Sequence, residues 1–282
     1  MLNHLRIAFI GSGAMGEAMI QGLLQRKIAD SANFIAADPK PERGQVLSEK
    51  FGVVTTVDNG QAAAGAQIIV LAVKPQVINA VMAGLKGRLP PDALVLSIVA
   101  GVRLDTMVNG LAHACVVRSM PNTPAQISEG ITVWMAAHGV SAEQREQARH
   151  LLQALGDEVE VKDEDELDMA TALSGTGPAY VFLFMEALVD AGVHLGFSRQ
   201  VAEQLVTQTV RGSVDFYRAS PSHLARLRNQ VTSPGGTSAE ALYYLEKAGF
   251  RTAISRAVWA AYQRSVTLGQ GRKRMSRPDV ER

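Results

Sequence analysis

The chain has 282 residues, enough for two domains that each bury a core, and its 47% hydrophobic and 20% charged residues are typical of a globular protein. Lys and Arg number 28 against 27 Asp and Glu, so no net charge directs the protein to nucleic acid or an anionic membrane. The single cysteine, Cys115, excludes an internal disulfide, and no signal peptide precedes the first strand. No apolar run reaches membrane-spanning length. These features predict a cytoplasmic protein.

In the first half of the chain, apolar runs alternate with stretches of helical spacing. Helices are predicted over 14–25 and 41–50. Runs that are apolar on both faces, separated by helices, predict a parallel sheet covered on both sides. The predicted strands are 5–10, 34–37, 67–73, 94–99, 115–117 and 131–135.

After a polar junction at 162–166, the spacing of apolar residues becomes helical throughout. The sequence therefore predicts an α/β domain over 1–162 followed by an all-α domain over 163–282. The predicted helices of the second domain are 165–173, 178–195, 199–218, 237–248 and 251–268.

The segment Gly11-Ser12-Gly13-Ala14-Met15-Gly16 follows the first predicted strand and opens the first predicted helix. In that position, G-x-G-x-x-G is typical of a Rossmann-type dinucleotide site. The first glycine permits the turn, the second lets a pyrophosphate approach, and the third allows the helix to pack on the strand. The alternative is a glycine-rich turn without a ligand. The strand–turn–helix context favours NAD or NADP binding through residues 11–16.

Asp38 ends the second predicted strand, where this fold places the adenosine ribose. A carboxylate there would accept a hydrogen bond from a ribose 2′-hydroxyl and repel a 2′-phosphate, which favours NAD. Lys40 and Arg43 follow closely and could bind such a phosphate instead. The sequence therefore leaves both cofactors open.

Two more loops follow predicted strands, the end of an open α/β sheet where ligands bind. In Ala72-Val73-Lys74-Pro75, Lys74 would project into the crevice unless it is an ordinary surface lysine. In Met120-Pro121-Asn122-Thr123-Pro124, the amide of Asn122 could pair with a nicotinamide carboxamide, and turn formation is the competing explanation.

Two glycine-containing segments of the helical half could bind an anion. Ser174-Gly175-Thr176-Gly177-Pro178 is expected to break one helix and start another, leaving N–H groups and two hydroxyls at a kink. Ser233-Pro234-Gly235-Gly236-Thr237-Ser238 opens a further helix, with Thr237 expected as the N-cap of a capping box that includes Glu240. The alternatives are close helix packing and an ordinary turn. Together the two segments predict a polar pocket near the helical domain.

Five segments, spread in order along nearly the whole chain, resemble the pyrroline-5-carboxylate reductase family: 9–16, 72–75, 120–124, 174–180 and 231–237. The resemblance implies a Rossmann domain followed by an all-α dimerisation domain, a homodimer with interleaved helices, and higher assemblies of dimers. It also implies a cofactor contact at Asn59. The sequence departs from the family at Ser238, where a threonine is usual, and at Asp38, where many relatives have a small residue. The second departure leaves the choice between NAD and NADP unsettled.

That family reduces the cyclic imine 1-pyrroline-5-carboxylate to L-proline, the last step of proline biosynthesis. A protonated imine is a strong electrophile, so the protein mainly has to orient the reactants. Amides at the start of the late helix would hold the carboxylate, and Ser238 or Thr237 would hydrogen-bond the ring nitrogen or a water. The candidate substrate-binding residues are Ser174, Gly175, Thr176, Gly235, Gly236, Thr237 and Ser238.

Two other functions stay open at this point. One is a 3-hydroxyacid dehydrogenase, which would use a lysine on a C-terminal helix, although 178–218 contains no lysine. The other is a non-catalytic NAD(P)-binding sensor. The six histidines show no metal-ligand spacing with Cys115 or with acids, so no metal site is predicted. The expected partner is a small molecule, without nucleic acid or membrane.

Overall fold

The computed structural model of the protein describes residues 2–220 and 222–269. They form two compact units, the first made of 2–176 with 261–269 and the second of Gly177–Ala260. The domain boundary between 162 and 163 stays a prediction.

The first unit contains one eight-stranded sheet in the order β3-β2-β1-β4-β5-β6-β7-β8. All neighbouring strands are parallel except β6 and β7, which are antiparallel. The strands are β1 (Ile7–Ile10), β2 (Phe34–Ala37), β3 (Val54–Thr56), β4 (Ile68–Leu71), β5 (Leu94–Ser97), β6 (Val116–Met120), β7 (Gly130–Ala136) and β8 (Gly156–Glu160). Its helices are α1 (Ala14–Gln25), α2 (Pro41–Phe51), α3 (Asn59–Ala63), α4 (Ile78–Leu85), α5 (Leu104–Leu111), α6 (Ala142–Gln153) and α7 (Asp165–Ala170).

Hydrophobic clusters cover both faces of this sheet. Along β1, Ile7 and Phe9 belong to one cluster and Ala8 and Ile10 to the other, because successive side chains of a strand point to opposite faces. Each of these four residues is fully buried. The continuous apolar runs therefore mark the strands that are covered on both sides, which confirms the predicted Rossmann-type sheet.

Two strands were missed by the sequence analysis, and both lie at the edges of the sheet. β3 has only three residues, none of them buried. β8 carries three acids and has no buried residue, so its sequence is typical of a loop. It becomes a strand because it pairs with β7. The sheet is parallel, as predicted, except that β7 runs antiparallel to β6.

The helices that follow are α8 (Gly177–His194), α9 (Arg199–Ala219), α10 (Leu224–Gln230), α11 (Thr237–Lys247) and α12 (Phe250–Gly269). The short α10 was not predicted. The predicted interruption near 174–178 takes the form of a π-helical turn over Thr171–Gly175 and a bend at Thr176, after which α8 begins. A π-helical turn accommodates an extra residue within a helical segment.

Counted through the π-helical turn and the bend, the helical segment from Asp165 to His194 contains 30 residues, and its mean hydropathy reaches 1.3 over an 18-residue window. By length and composition alone, this segment could cross a membrane.

In the second unit, α8 packs against α9, and Gly192 allows the close approach of Ala202. Among the described residues of this unit, only Val189 and Ala202 are buried. Large apolar side chains remain exposed, including Phe182 at 63% and Leu183 at 67%. This part of the chain buries too little apolar surface to form a core by itself.

Candidate active site

The segments predicted to bind a cofactor follow the carboxyl ends of parallel strands, so they lie together at the carboxyl-terminal end of the sheet. Ser12 follows β1, Asp38 follows β2, Asn59 begins α3 after β3, and Lys74 follows β4. The chain leaves β1 toward β2 and later returns to β4 on the other side of β1. This reversal opens a crevice between β1 and β4, where open α/β sheets bind ligands.

The three glycines of the loop between β1 and α1 differ in what a side chain would meet. Gly11 has a φ of +92°, and a Cβ there would lie 2.9 Å from the carbonyl oxygen of Ala72. A Cβ on Gly16 would lie 2.7 Å from the carbonyl oxygen of Gly11. Gly13, the N-cap of α1, is exposed, and a Cβ added there would meet no atom within 4 Å. The loop thus offers an open approach to the start of α1, where amides lack helical acceptors and favour an anion.

The carboxylate of Asp38 is bound to this loop. Its Oδ2 accepts hydrogen bonds from the amide N–H of Ser12 at 3.1 Å and from the Ser12 hydroxyl at 3.0 Å. Its Oδ1 accepts from the amide of Lys40 at 3.1 Å. Ser12 is fully buried. An acid at the end of β2 therefore fixes the shape of the loop that follows β1.

Arg43, on α2, lies over the same loop. Its Nε donates to the carbonyl oxygen of Ser12 at 2.7 Å, and its guanidinium forms an ion pair with Glu17. Lys50 pairs with the other oxygen of Glu17 at 2.8 Å. The hydrogen bond from Lys50, supported by Arg43, lowers the pKa of Glu17 below its ordinary value. Glu17 is therefore ionised at neutral pH and shares its charge between two cations.

A cavity of about 660 Å³ lies within the first unit. Pro75, a predicted cofactor residue, and Thr176, a predicted substrate residue, both line it. Arg264 also lines it, and within the described ranges no acidic side chain pairs with that guanidinium. The sequence analysis missed Arg264, because an arginine in a long helix carries no local signal of a cavity. Lys74 is exposed, which is consistent both with a lysine that projects into the crevice and with an ordinary surface lysine.

The amide of Asn122 has partners within the chain. Its Nδ2 donates to the carbonyl oxygen of Ser174 at 3.2 Å, and its Oδ1 accepts from the amide of Ile131 at 3.0 Å. It therefore ties the loop after β6 to the start of β7 and to the π-helical turn. One proton of Nδ2 and one lone pair of Oδ1 are left for a ligand, and contact with a carboxamide stays a prediction.

The hydroxyls around the π-helical turn donate to backbone carbonyls. The Ser174 hydroxyl donates to the carbonyl oxygen of Ala170 at 2.9 Å, and the Thr176 hydroxyl to that of Thr171 at 2.9 Å. Their oxygens can still accept hydrogen bonds, but their protons are already in use. In this arrangement they suit a donor such as a protonated nitrogen better than a carboxylate.

The glycine turn before α11 differs in detail from the prediction. The N-cap is Gly236 and Thr237 is the first helical residue, so the expected capping box with Glu240 is not formed. The amide of Gly236 donates to the carbonyl oxygen of Ser233 at 3.0 Å, which closes the turn. In the described part of the chain, no acceptor binds the amides of Thr237 and Ser238. Gly235, with a φ of +70°, has open space around it. The start of α11 therefore presents two free amides.

A buried ion-pair network, not predicted from the sequence, connects β6 to two helices. Arg118 pairs with Glu164 at 2.7 Å and with Asp168 at 3.6 Å. The hydroxyl of Ser265 on α12 donates to Asp168 at 2.7 Å. The side chains of Arg118 and Asp168 are 4% and 5% exposed. The network anchors α7, whose continuation forms the π-helical turn, and the last part of α12.

Comparison with known proteins gives matches over both halves of the chain. A family model described as pyrroline-5-carboxylate reductase dimerisation matches residues 164–268, and one described as NADP oxidoreductase, coenzyme F420-dependent, matches residues 6–101. A pyrroline-5-carboxylate reductase of Synechocystis is 40% identical, over 94% of this chain and 99% of the relative.

Solved structures agree with these matches. A pyrroline-5-carboxylate reductase from Coxiella burnetii superposes with a TM-score of 0.89 at 36% identity, covering 96% of this chain and 100% of the other. The Plasmodium falciparum pyrroline carboxylate reductase, solved with NADP bound, has a TM-score of 0.86 at 32% identity, covering 95% and 99%.

Proposed function

The chain belongs to the pyrroline-5-carboxylate reductase family, and we propose that it reduces 1-pyrroline-5-carboxylate to L-proline with NADH or NADPH, the last step of proline biosynthesis. The observation that carries this proposal is the similarity to named reductases over 94% of the chain. The matching family models include the loop that follows β1 and the glycine turn that opens α11.

The residues present fit a dinucleotide cofactor. The open space at Gly13 and the free amides at the start of α1 would hold the pyrophosphate, since a helix N-terminus attracts anions. The cofactor supplies the hydride that the imine carbon receives. Asn59 and the loop 72–75 would complete the cofactor site at the carboxyl-terminal end of the sheet.

The amides of Thr237 and Ser238 would bind the substrate carboxylate, because they lack acceptors and lie at the positive end of α11. Gly235 and Gly236 would let the carboxylate approach without a side chain in the way. The Gly236 amide already donates to the carbonyl oxygen of Ser233, so Gly236 would shape the turn and would not donate a hydrogen bond to the carboxylate.

The ring nitrogen requires a hydrogen-bond acceptor, because the reactive imine is protonated. The oxygens of Ser174 and Thr176 keep free lone pairs after donating to the helix backbone, and the hydroxyls of Ser238 and Thr237 are further candidates. A hydroxyl is a weak acid. We therefore assign Ser238 to positioning the protonated imine and not to supplying its proton.

The reaction is tested by following the absorbance of NADH and of NADPH in the presence of pyrroline-5-carboxylate. Ser238→Ala is expected to lower kcat/KM by roughly 5- to 150-fold, since one lost hydrogen bond costs about 1 to 3 kcal/mol. Ser213→Ala is the matched control, because the Ser213 hydroxyl donates to the carbonyl oxygen of Thr209 within α9.

Three outcomes contradict parts of this assignment. An unchanged kcat/KM in Ser238→Ala removes Ser238 from the mechanism. Turnover of 3-hydroxyacids in place of the imine indicates a dehydrogenase, and cofactor binding without any turnover indicates a sensor.

The protein is further proposed to act in the cytoplasm as a homodimer, the state that its dimerisation-family match supports. In the single chain, Phe182, Leu183 and other large apolar side chains of α8 are exposed, and the second unit has only two buried residues among those described. A second copy would cover this surface, and the long helix from Asp165 to His194 is then apolar because it is an interface. Sedimentation of the purified protein without detergent tests the assignment, and a stable monomer would contradict it.

A further inference from the structure

Asp38 follows the end of β2, where Rossmann-type folds bind the adenosine ribose, and its carboxylate can accept one more hydrogen bond. A carboxylate has about four lone-pair sites. In Asp38, two on Oδ2 are used by Ser12 and one on Oδ1 by the Lys40 amide. The remaining site on Oδ1 accepts a donor such as a sugar hydroxyl. A phosphate in its place would bring two negative groups into contact, which is unfavourable at short distance.

The basic residue best placed to compensate for that repulsion is not free. Arg43 donates to the Ser12 carbonyl oxygen and is paired with Glu17, and its side chain is 28% exposed. Glu17 is held in its charged form, because its pKa is lowered by the hydrogen bond from Lys50. The cationic group of Arg43 thus belongs to an internal network on the loop. Lys40, whose side chain is exposed, is the other basic residue next to Asp38 in sequence.

We propose that Asp38 makes this enzyme prefer NADH over NADPH, and that Glu17 strengthens the preference by holding Arg43 away from a 2′-phosphate. This inference rests on the proposed function, because it concerns the cofactor of the same site. It assigns specificity to two residues on different elements, the end of β2 and the first turn of α1. The sequence alone pointed to Asp38 but not to Glu17, because the pairing of Glu17 with Arg43 depends on the packing of α2 against the loop.

The test measures cofactor binding without the imine, by titrating the fluorescence of NADH and of NADPH on the full chain. The unmodified protein is expected to bind NADH at least tenfold more tightly than NADPH. Asp38→Asn keeps the size and removes the charge, and it is expected to reduce that ratio at least tenfold. Glu17→Gln is expected to tighten NADPH binding at least threefold and to leave NADH binding within twofold, because Arg43 becomes free.

Glu49→Gln is the control. Glu49 lies on α2 and accepts from the Gln45 amide, so this variant removes one negative charge and leaves Arg43 in place. Equal or tighter binding of NADPH by the unmodified protein overturns the proposal, and so does an unchanged ratio in Asp38→Asn. If Glu17→Gln and Glu49→Gln bind NADPH with the same affinity, Glu17 has no role in the cofactor preference. Melting temperatures confirm that each variant is folded.

Binding is scored separately from turnover. If the affinities change as expected but no imine is reduced, the proposed reaction fails and the specificity assignment holds. If the imine is reduced but NADPH binds as tightly as NADH, the reaction holds and the specificity assignment fails.

Discussion

Replacing Gly13 with alanine is expected to weaken cofactor binding with little loss of stability, whereas replacing Gly11 should mainly destabilise the fold. At Gly11 the φ of +92° costs an L-residue about 1 to 2 kcal/mol, and contacts of 2.8 to 2.9 Å with Val73 and Ala72 add roughly 1 to 3 kcal/mol. At Gly13 a Cβ meets no atom within 4 Å, so the cost is that of alanine at an N-cap, about 1 kcal/mol or less.

The space beside Gly13 is where a pyrophosphate would approach, so the added methyl should raise the Kd of the reduced cofactor at least tenfold, or about 1.4 kcal/mol. Urea denaturation gives the stabilities, and fluorescence titration gives the Kd. Gly84→Ala is a control, because it adds a methyl to open space on α4 and should leave the Kd unchanged. The reasoning is refuted if Gly13→Ala binds cofactor normally, or if it loses as much stability as Gly11→Ala.

Three further predictions concern stability. Ser265→Ala removes the hydrogen bond to buried Asp168, so it should lower the free energy of unfolding by about 1 to 3 kcal/mol in urea titrations. Gly156→Ala should lower it by at least about 2 kcal/mol, because the φ is +133° and a Cβ would overlap the backbone of Gly130; a normal melting temperature would contradict this. Because the pKa of Glu17 is lowered, its ionised carboxylate stabilises the folded state at pH values above the ordinary pKa of a glutamate, and this stabilisation is lost as the pH falls through the lowered value. Glu17→Gln should therefore make the free energy of unfolding depend less steeply on pH in the acid range.

Some features of the site could be predicted because they depend on residues close together in the chain. The positive φ at Gly11 and the close contact at Gly16 both require glycine, and both follow from residues within the loop 11–16 and the strand before it. Other features depend on distant partners. The amide of Asn122 binds Ile131 and Ser174, and no local pattern distinguishes this from binding a ligand. The pairing of Arg43 with Glu17 likewise joins two helices.

The π-helical turn at Thr171–Gly175 illustrates a limit of local reasoning. Two glycines and a proline within a few residues are typical of a helix break, and here the interruption consists of a π-helical turn followed by a bend at Thr176. The hydroxyls of Thr171, Ser174 and Thr176 donate to the carbonyl oxygens of Leu167, Ala170 and Thr171, and the side-chain amide of Asn122 donates to the carbonyl oxygen of Ser174. These bonds give partners to backbone carbonyl groups in and next to the turn.

The amino-acid sequence alone determined the central strands and the glycine loop, because a strand buried on both faces must be continuously apolar and a tight loop must use glycine. Tertiary structure decided the edge strands β3 and β8, the reversed direction of β7, and the partners of Asp38, Arg43 and Asn122. The physical reason is that an edge strand and a polar side chain have several acceptable local states. Only the groups that folding brings against them select one.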